Sequence, residues 1–555
     1  IHYDNAYAEA YNNLGDAVQA RGEIGGAISA YKQAIQIDPN NPEAHNNLGT
    51  ALQEQGLEDG AIAHYHQAIK LEPHAPTAHY NLGNVAKRRE DIFTAVDLYN
   101  HAIRLNPNFA DAYFNLGDAL RDLGRYEAAI ASYRQALAIK PRYEDAFNNL
   151  LFCVNYHPDL SGAEIYRYYQ EFDTLFGLPH QAAWQPHRND RNPDRKLKIG
   201  YVSPSFHAHS CRHFLEPLLA HHDKTQVEVY AYAHHQAPPD YCTERYQSYV
   251  DRWIPTRGMS DQALNDRIRA DGIDILIDVA GHTGYNRLEV FAMKPAPVSL
   301  HWLDFGYTTG LSAIDYYLTD TATVPEGAEA YFSEQPWRLP TPALAYRPAE
   351  GMGEEGALPA HQNGHITFGT LTRAVRINHR VVKVWSALLK AVPNAKLIIN
   401  SGNFKDPAMQ QHMVKQFIAQ GIAAERLQIG HHSPPWDVLR NIDIGLDCFP
   451  HNSGTTLFET LYMGIPFITL ANRPSVGTLG ASVLHGIGHP EWIAHTEQEY
   501  LDKAIALAGD TLKLSQLRKS LRTEMQQSPL MDEVGFTRAV EHAYRQMWQK
   551  WCESK

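Results

Sequence analysis

The chain has 555 residues, with 49 Lys and Arg against 62 Asp and Glu, a net charge of −13 and 44% hydrophobic residues. That composition excludes a disordered chain and predicts a few domains of roughly 150 residues each. No basic block and no apolar run near the ~18 residues of a spanning helix occurs, so neither nucleic acid nor membrane is an expected partner. The five cysteines (Cys153, Cys211, Cys242, Cys448 and Cys552) are scattered without a Cys-x-x-Cys. They exclude a zinc ribbon or a disulfide framework and predict a reducing, cytoplasmic setting.

The first element is a repeat. Asn12-Asn13-Leu14-Gly15 returns at Asn46 to Gly49, Tyr80 to Gly83 and Phe114 to Gly117, with a degenerate copy at Asn148 to Leu151. Ala27, Ala61, Ala95 and Ala129 keep the same 34-residue step, as do Tyr31, Tyr65, Tyr99 and Tyr133, and Pro39, Pro73, Pro107 and Pro141. The period and residue types match the tetratricopeptide pattern, two helices per unit stacked into an α-superhelix over residues 1–153. Asn13, Asn47, Asn81, Asn115 and Asn149 share one position in the unit. Asn81, Asn115 and Asn149 are the candidate acceptor-binding residues, because an amide both donates and accepts and so grips a peptide backbone. The alternative is that each amide satisfies a neighbouring helix.

Residues 154–195 read as a helical linker, rich at its end in Pro, His, Asn and Asp. Beyond it, short β-branched runs alternate with helical patterns, which predicts parallel α/β sheets. Strands are expected at 197–203, 227–233, 273–279, 298–303 and 316–319 in a first lobe, 196–348. A Pro- and Gly-rich loop (Pro325 to Gly356) leads to strands at 366–371, 396–400, 426–430, 442–447 and 467–470 in a second lobe, 349–555, finished by terminal helices over about 499–552 that cross back. Two such sheets bind ligands at the carboxyl ends of their strands.

The richest motif runs from Ile442 to Pro466. A strand enters a small-residue turn, Asn452-Ser453-Gly454-Thr455-Thr456, and then an amphipathic helix bearing Glu459. Free helix-start amides, the helix dipole and two hydroxyls suit a diphosphate, and Glu459, three residues on, reaches a ribose hydroxyl. A plain helix capped by Thr is the competing reading.

"FPHNSGTTLFETLYMGIPFITL" resembles the donor-site signature of the O-linked N-acetylglucosamine transferase family, glycosyltransferase family 41. So do "LKIGYVSPSFHAHSCRHF", "GHTGYNRLEVFAMKPAPVSLHWLDFGYTTG" and "IDYYLTD" in the first lobe, and the repeats in front complete the order. The short array resembles that of a bacterial member. The resemblance implies a GT-B fold of two Rossmann-like lobes and inverting transfer from UDP-GlcNAc to Ser or Thr hydroxyls of polypeptides held by the repeats. It implies no metal and no other cofactor, and the chain has no Asp-x-Asp. The family's catalytic-site histidine falls on His209 and its phosphate-contacting lysine on Arg376, the two candidate catalytic residues. Asn452, Gly454, Thr455, Thr456 and Glu459 are the candidate donor-binding residues.

Four stretches depart from the family. Its Phe-Asn-Gln-x-x-Lys segment reads Leu371 to Arg376, its Gly-Tyr-Pro-Gly turn reads Asp304-Phe305-Gly306-Tyr307, Thr478 stands near an expected arginine, and no clear uracil-stacking histidine lies at Ser433 to Trp436. Two rival readings follow: a repeat scaffold with weakly catalytic nucleotide-sugar lobes, and a transferase of another nucleotide sugar. His207, His209 and His213 lie within seven residues, but the resemblance accounts for His209 without a metal.

Overall fold

A computed structural model describes residues 2–234 and 238–554 of the chain. They fall into two compact units, residues 1–150 and 151–555.

The first unit is built of helix pairs that follow the repeat. Its second helices, Ile24–Ile37, Glu58–Leu71, Ile92–Leu105 and Tyr126–Ile139, each end two residues before the periodic proline. The periodic Gly and Tyr are one device: a Cβ added to Gly15, Gly49, Gly83 or Gly117 would lie 2.4–2.7 Å from the ring of Tyr31, Tyr65, Tyr99 or Tyr133. No real Cβ fits there, so only glycine lets the tyrosine cross the first helix. Each ring is buried, and its hydroxyl is satisfied within the unit, Tyr31 by Asp16 at 2.8 Å and Tyr133 by Asp118 at 2.7 Å.

The second unit opens with the helix Gly162–Phe172, whose Ser161 and Glu164 form a reciprocal capping box. A seven-stranded sheet follows: β1 (Leu197–Ser203), β2 (Val227–Ala233), β3 (Arg252–Pro255), β4 (Ile275–Asp278), β5 (Val298–His301), β6 (Tyr316–Asp320) and β7 (Gln335–Leu339). Its order is β3-β2-β1-β4-β5-β6-β7, all parallel. The second sheet holds β8 (Thr367–Leu371), β9 (Lys396–Asn400), β10 (Leu427–Gly430), β11 (Ile444–Leu446), β12 (Phe467–Leu470) and β13 (Ile493–Ala494) in the order β10-β9-β8-β11-β12-β13. Both sheets reverse strand order once, between β1 and β4 and between β8 and β11. Such switch points open a crevice at the strand ends.

The sequence reading lacks β3, β7 and β13. β7 lies inside the stretch read as a Pro-rich loop. It is an edge strand, where Pro336 costs no ladder bond on a second neighbour. The terminal helix Glu533–Glu553 crosses back from the second lobe to the first. Phe536, Val540, Tyr544, Met547 and Trp548 are buried in the core formed by β1, β2, β4 and β5. The chain thus returns to close its first lobe.

Candidate active site

The second lobe's crevice is organised by a buried carboxylate. Asp447, just past β11, accepts from the Ser453 N–H at 2.8 Å and the Thr469 hydroxyl at 2.7 Å. Burial pushes its carboxyl up to about 7. Asn452 completes the turn, donating to the Cys448 carbonyl at 3.0 Å and accepting from the Gly480 N–H at 3.1 Å. Both ends of its amide are thus spent on shaping the loop. Ser453 donates to Thr372 at 3.1 Å, tying the turn to the end of β8.

Gly454 is the N-cap of the helix Thr455–Tyr462, and no side chain caps that helix. The capped-helix alternative is therefore not what the threonines do. Thr455 and Thr456 stand half-exposed on its first turn, with open space beside Gly454. Glu459, one turn on, is 8% exposed and near Tyr346, whose ring stacks on that of Phe458. Burial raises its carboxyl to about 7, opposed by Arg212. A carboxylate held in so dry a place is poised to accept a hydroxyl's hydrogen bond.

Arg376 ends the short turn Ala374–Arg376 that follows β8. Its Nε lies 3.3 Å from Nδ1 of His451, and its guanidinium 6.0 Å from the Tyr156 ring centre. Arg373 is exposed. Asn378 caps the next helix, His379–Ala391, and donates to the Phe449 carbonyl at 2.6 Å, so both crevice loops of this lobe are cross-tied. Thr478 turns its hydroxyl to the carbonyls of Thr323 and Ser475. Arg473 nearby is buried, bonded to the carbonyls of Asn155, His157 and Leu160 and pushed down to about 10 by burial.

In the first lobe His209 lies in the loop after β1, half-buried, with Nδ1 accepting from the Cys211 N–H at 3.4 Å. A ring nitrogen of His209, the Cys211 sulfur and an Asp304 carboxylate oxygen all lie within 4.8 Å of one another. Burial and Asp304 push the Cys211 thiol well above its ordinary value. The thiol is therefore a hydrogen-bonding S–H at neutral pH. His207 lies 5.8 Å from His209, ring to ring, while His213 turns away to the Arg347 carbonyl at 2.6 Å. Sequence reasoning missed Asp304 as a partner of His209, although the altered turn at Asp304 to Tyr307 was a visible signal. It also missed a buried pair beside it, His301 Nδ1 and Asp278 at 2.7 Å.

The three candidate asparagines of the repeats lie in the first unit. Asn81 donates to Asn46 at 3.0 Å, Asn115 to Asn84 at 2.8 Å and Asn149 to Asp118 at 2.8 Å. Each amide nitrogen is thus used by the preceding repeat. Each amide oxygen is left without a protein donor among the described residues.

The profile of glycosyl transferase family 41 matches residues 174–342 and 357–540. Tetratricopeptide profiles match 19–56, 59–88, 117–150 and 98–131. A probable UDP-N-acetylglucosamine–peptide N-acetylglucosaminyltransferase SPINDLY of Solanum lycopersicum is 34% identical over 418 residues, 73% of this chain and 44% of that protein. The corresponding SEC protein of Arabidopsis thaliana is 28% identical over 68% of this chain and 40% of its own length. The chain thus spans less than half of these plant relatives. A solved O-GlcNAc transferase mutant of Thermobaculum terrenum superposes with a TM-score of 0.82 at 30% identity, over 99% of both chains.

Proposed function

We propose that this chain, which belongs to glycosyl transferase family 41, moves N-acetylglucosamine from UDP-GlcNAc to Ser or Thr hydroxyls of polypeptides. The observation that carries the reading is the convergence of motifs on the switch points: His209 follows β1, Arg376 follows β8, and Gly454 to Glu459 follow β11. The diphosphate sits on the Thr455 and Thr456 hydroxyls and the first amides of their helix. Glu459 accepts from the ribose. As the sugar–phosphate bond breaks, negative charge grows on the diphosphate and Arg376 meets it, so the reaction runs without a metal. The acceptor oxygen attacks from the opposite face, inverting the centre, and gives up its proton near His209.

The repeats capture the acceptor, with the free amide oxygens of Asn81, Asn115 and Asn149 taking backbone N–H groups of an extended segment. No helix among the described residues is long and apolar enough to cross a membrane. The scattered cysteines, with no Cys-x-x-Cys, support a reducing, cytoplasmic setting.

A second reading keeps the enzyme and changes the donor. The absence of the arginine expected near Thr478 bears on the donor, while the rewritten segment at Leu371 to Arg376 favours a repeat scaffold with weakly catalytic lobes. Calorimetric titration with UDP, GDP and their sugars, followed by turnover on a peptide array, tests both. Tight UDP binding with GlcNAc transfer is expected. GDP-selective binding would move the assignment to the second reading, and UDP binding with no transfer from any donor would leave only a scaffold.

A further inference from the structure

We propose that Asp304 is a positioning residue for His209, fixing its imidazole and balancing the charge it takes on with the acceptor's proton. The inference rests on the transferase reading above and assigns a residue to its acceptor side. The first observation is the backbone. Leu303 and Asp304, directly after β5, are consecutive non-glycine residues in the left-handed region, at φ 75° and 68°. Asp tolerates that region better than most residues and Leu does not. Strain of this kind persists where the surroundings over-determine it, and it gathers at working sites.

The second observation is how firmly the carboxylate is held. Its Oδ2 accepts from the Thr283 hydroxyl at 3.2 Å and the Ser205 hydroxyl at 3.4 Å, and the Cys211 thiol bonds to the same side chain. Donors thus come from the loop after β1 and the loop after β4, while Asp304 itself follows β5. Three crevice loops of the first sheet meet on one carboxylate, and His209 lies in the first of them, gripped by the Cys211 N–H.

The third observation is electrostatic. Asp304 is half-buried, and burial disfavours its charged form while His209 favours it. The pair is therefore better matched when the ring is a cation. In the transfer the acceptor oxygen bonds to the anomeric carbon as the carbon–diphosphate bond breaks. The electron pair of that bond leaves with UDP, and the hydroxyl proton passes to His209. Asp304 stabilises the state that follows, by orientation and by charge, as a carboxylate does for an imidazole in general acid–base catalysis.

The test compares D304N, which keeps the shape and loses the charge, with D304G, which loses the carboxylate but accepts φ 68° without strain. Each is made in the wild-type and in the H209A background, with kcat and KM measured for UDP-GlcNAc and peptide, alongside melting temperature. The expected result is a fall in kcat of at least about tenfold in both variants, with both KM values within about twofold, as for loss of part of an acid–base system. In H209A the same changes have almost no further effect, because the two residues act as one. D304N, which keeps acceptor and donor groups in place, melts within a few degrees of wild type, so its loss of kcat is read on folded enzyme. A D304G enzyme with wild-type kcat would overturn the proposal, and so would an equal fold-loss with and without His209. Wild-type protein that transfers from no UDP- or GDP-sugar would sink the transferase reading and this inference together. Active wild type with indifferent Asp304 variants would sink this inference alone.

Discussion

Arg376 holds its Nε 3.3 Å from Nδ1 of His451, a contact between a permanent cation and an imidazole that burial and Arg376 itself keep far below its ordinary pKa. His451 is therefore neutral, and its Nδ1 also lies 2.9 Å from the Asn452 carbonyl, which can only accept. The charge of Arg376 reaches the buried Asp447 carboxyl, and the guanidinium is the proposed partner of the diphosphate. Arg376→Ala should abolish turnover and weaken UDP binding. Arg376→Lys should retain activity, since a point charge still meets the diphosphate, though without a bidentate grip. Undiminished UDP affinity and turnover in the alanine variant would show that the leaving group is met elsewhere.

Thr455 and Thr456 open a helix that no side chain caps. Replacing both by Val keeps their shape and removes two hydroxyl donors. The expected loss in UDP affinity is about 1–3 kcal/mol, as for hydrogen bonds to a charged partner. Unchanged affinity by calorimetry would remove the diphosphate from this helix start.

Glu459 carries a stability signature. Its folded pKa, about 7, lies above the ordinary 4.5 because burial penalises the anion. A raised carboxyl adds stability below pH 4.5 that is lost as pH rises through 7. Glu459→Gln should therefore raise the melting temperature of the free protein at pH 8 by a few degrees, with little change at pH 4.5. The same variant should bind the nucleotide sugar more weakly. Equal melting shifts at both pH values would contradict the dry-carboxylate picture.

His209→Ala should lower turnover while leaving UDP affinity nearly intact, because the residue belongs to the first lobe and the proposed diphosphate site to the second. Lost nucleotide binding would make His209 a donor ligand instead, and wild-type turnover would take it out of the reaction.

Asn81, Asn115 and Asn149 each donate to the preceding repeat and keep an amide oxygen to spare. Changing all three to Ala should therefore do two things. Melting should fall, since the part-buried hydrogen bonds that the three amides donate, about 1 kcal/mol each, are lost. Affinity for acceptor polypeptides should fall much further than affinity for UDP. A melting loss with peptide and nucleotide binding equally affected would leave these residues a purely structural role.

The repeat was fully legible because its physics is local and periodic. A tyrosine that crosses a helix every 34 residues demands a glycine every 34 residues, and both stand in the chain to be read. The alternation of strands and helices, and the turn from Asn452 to Thr456, were legible for the same reason. What the tertiary structure decided are relations between residues far apart in sequence. It brought Asp304 to His209 across 95 positions and Arg376 to His451 across 75. It also divided the asparagines' work, assigning each amide nitrogen to the previous repeat. Sequence spacing records which face of an element a side chain occupies. It does not record which loop will meet that face once two parallel sheets have wound, and burial and charge are settled only there.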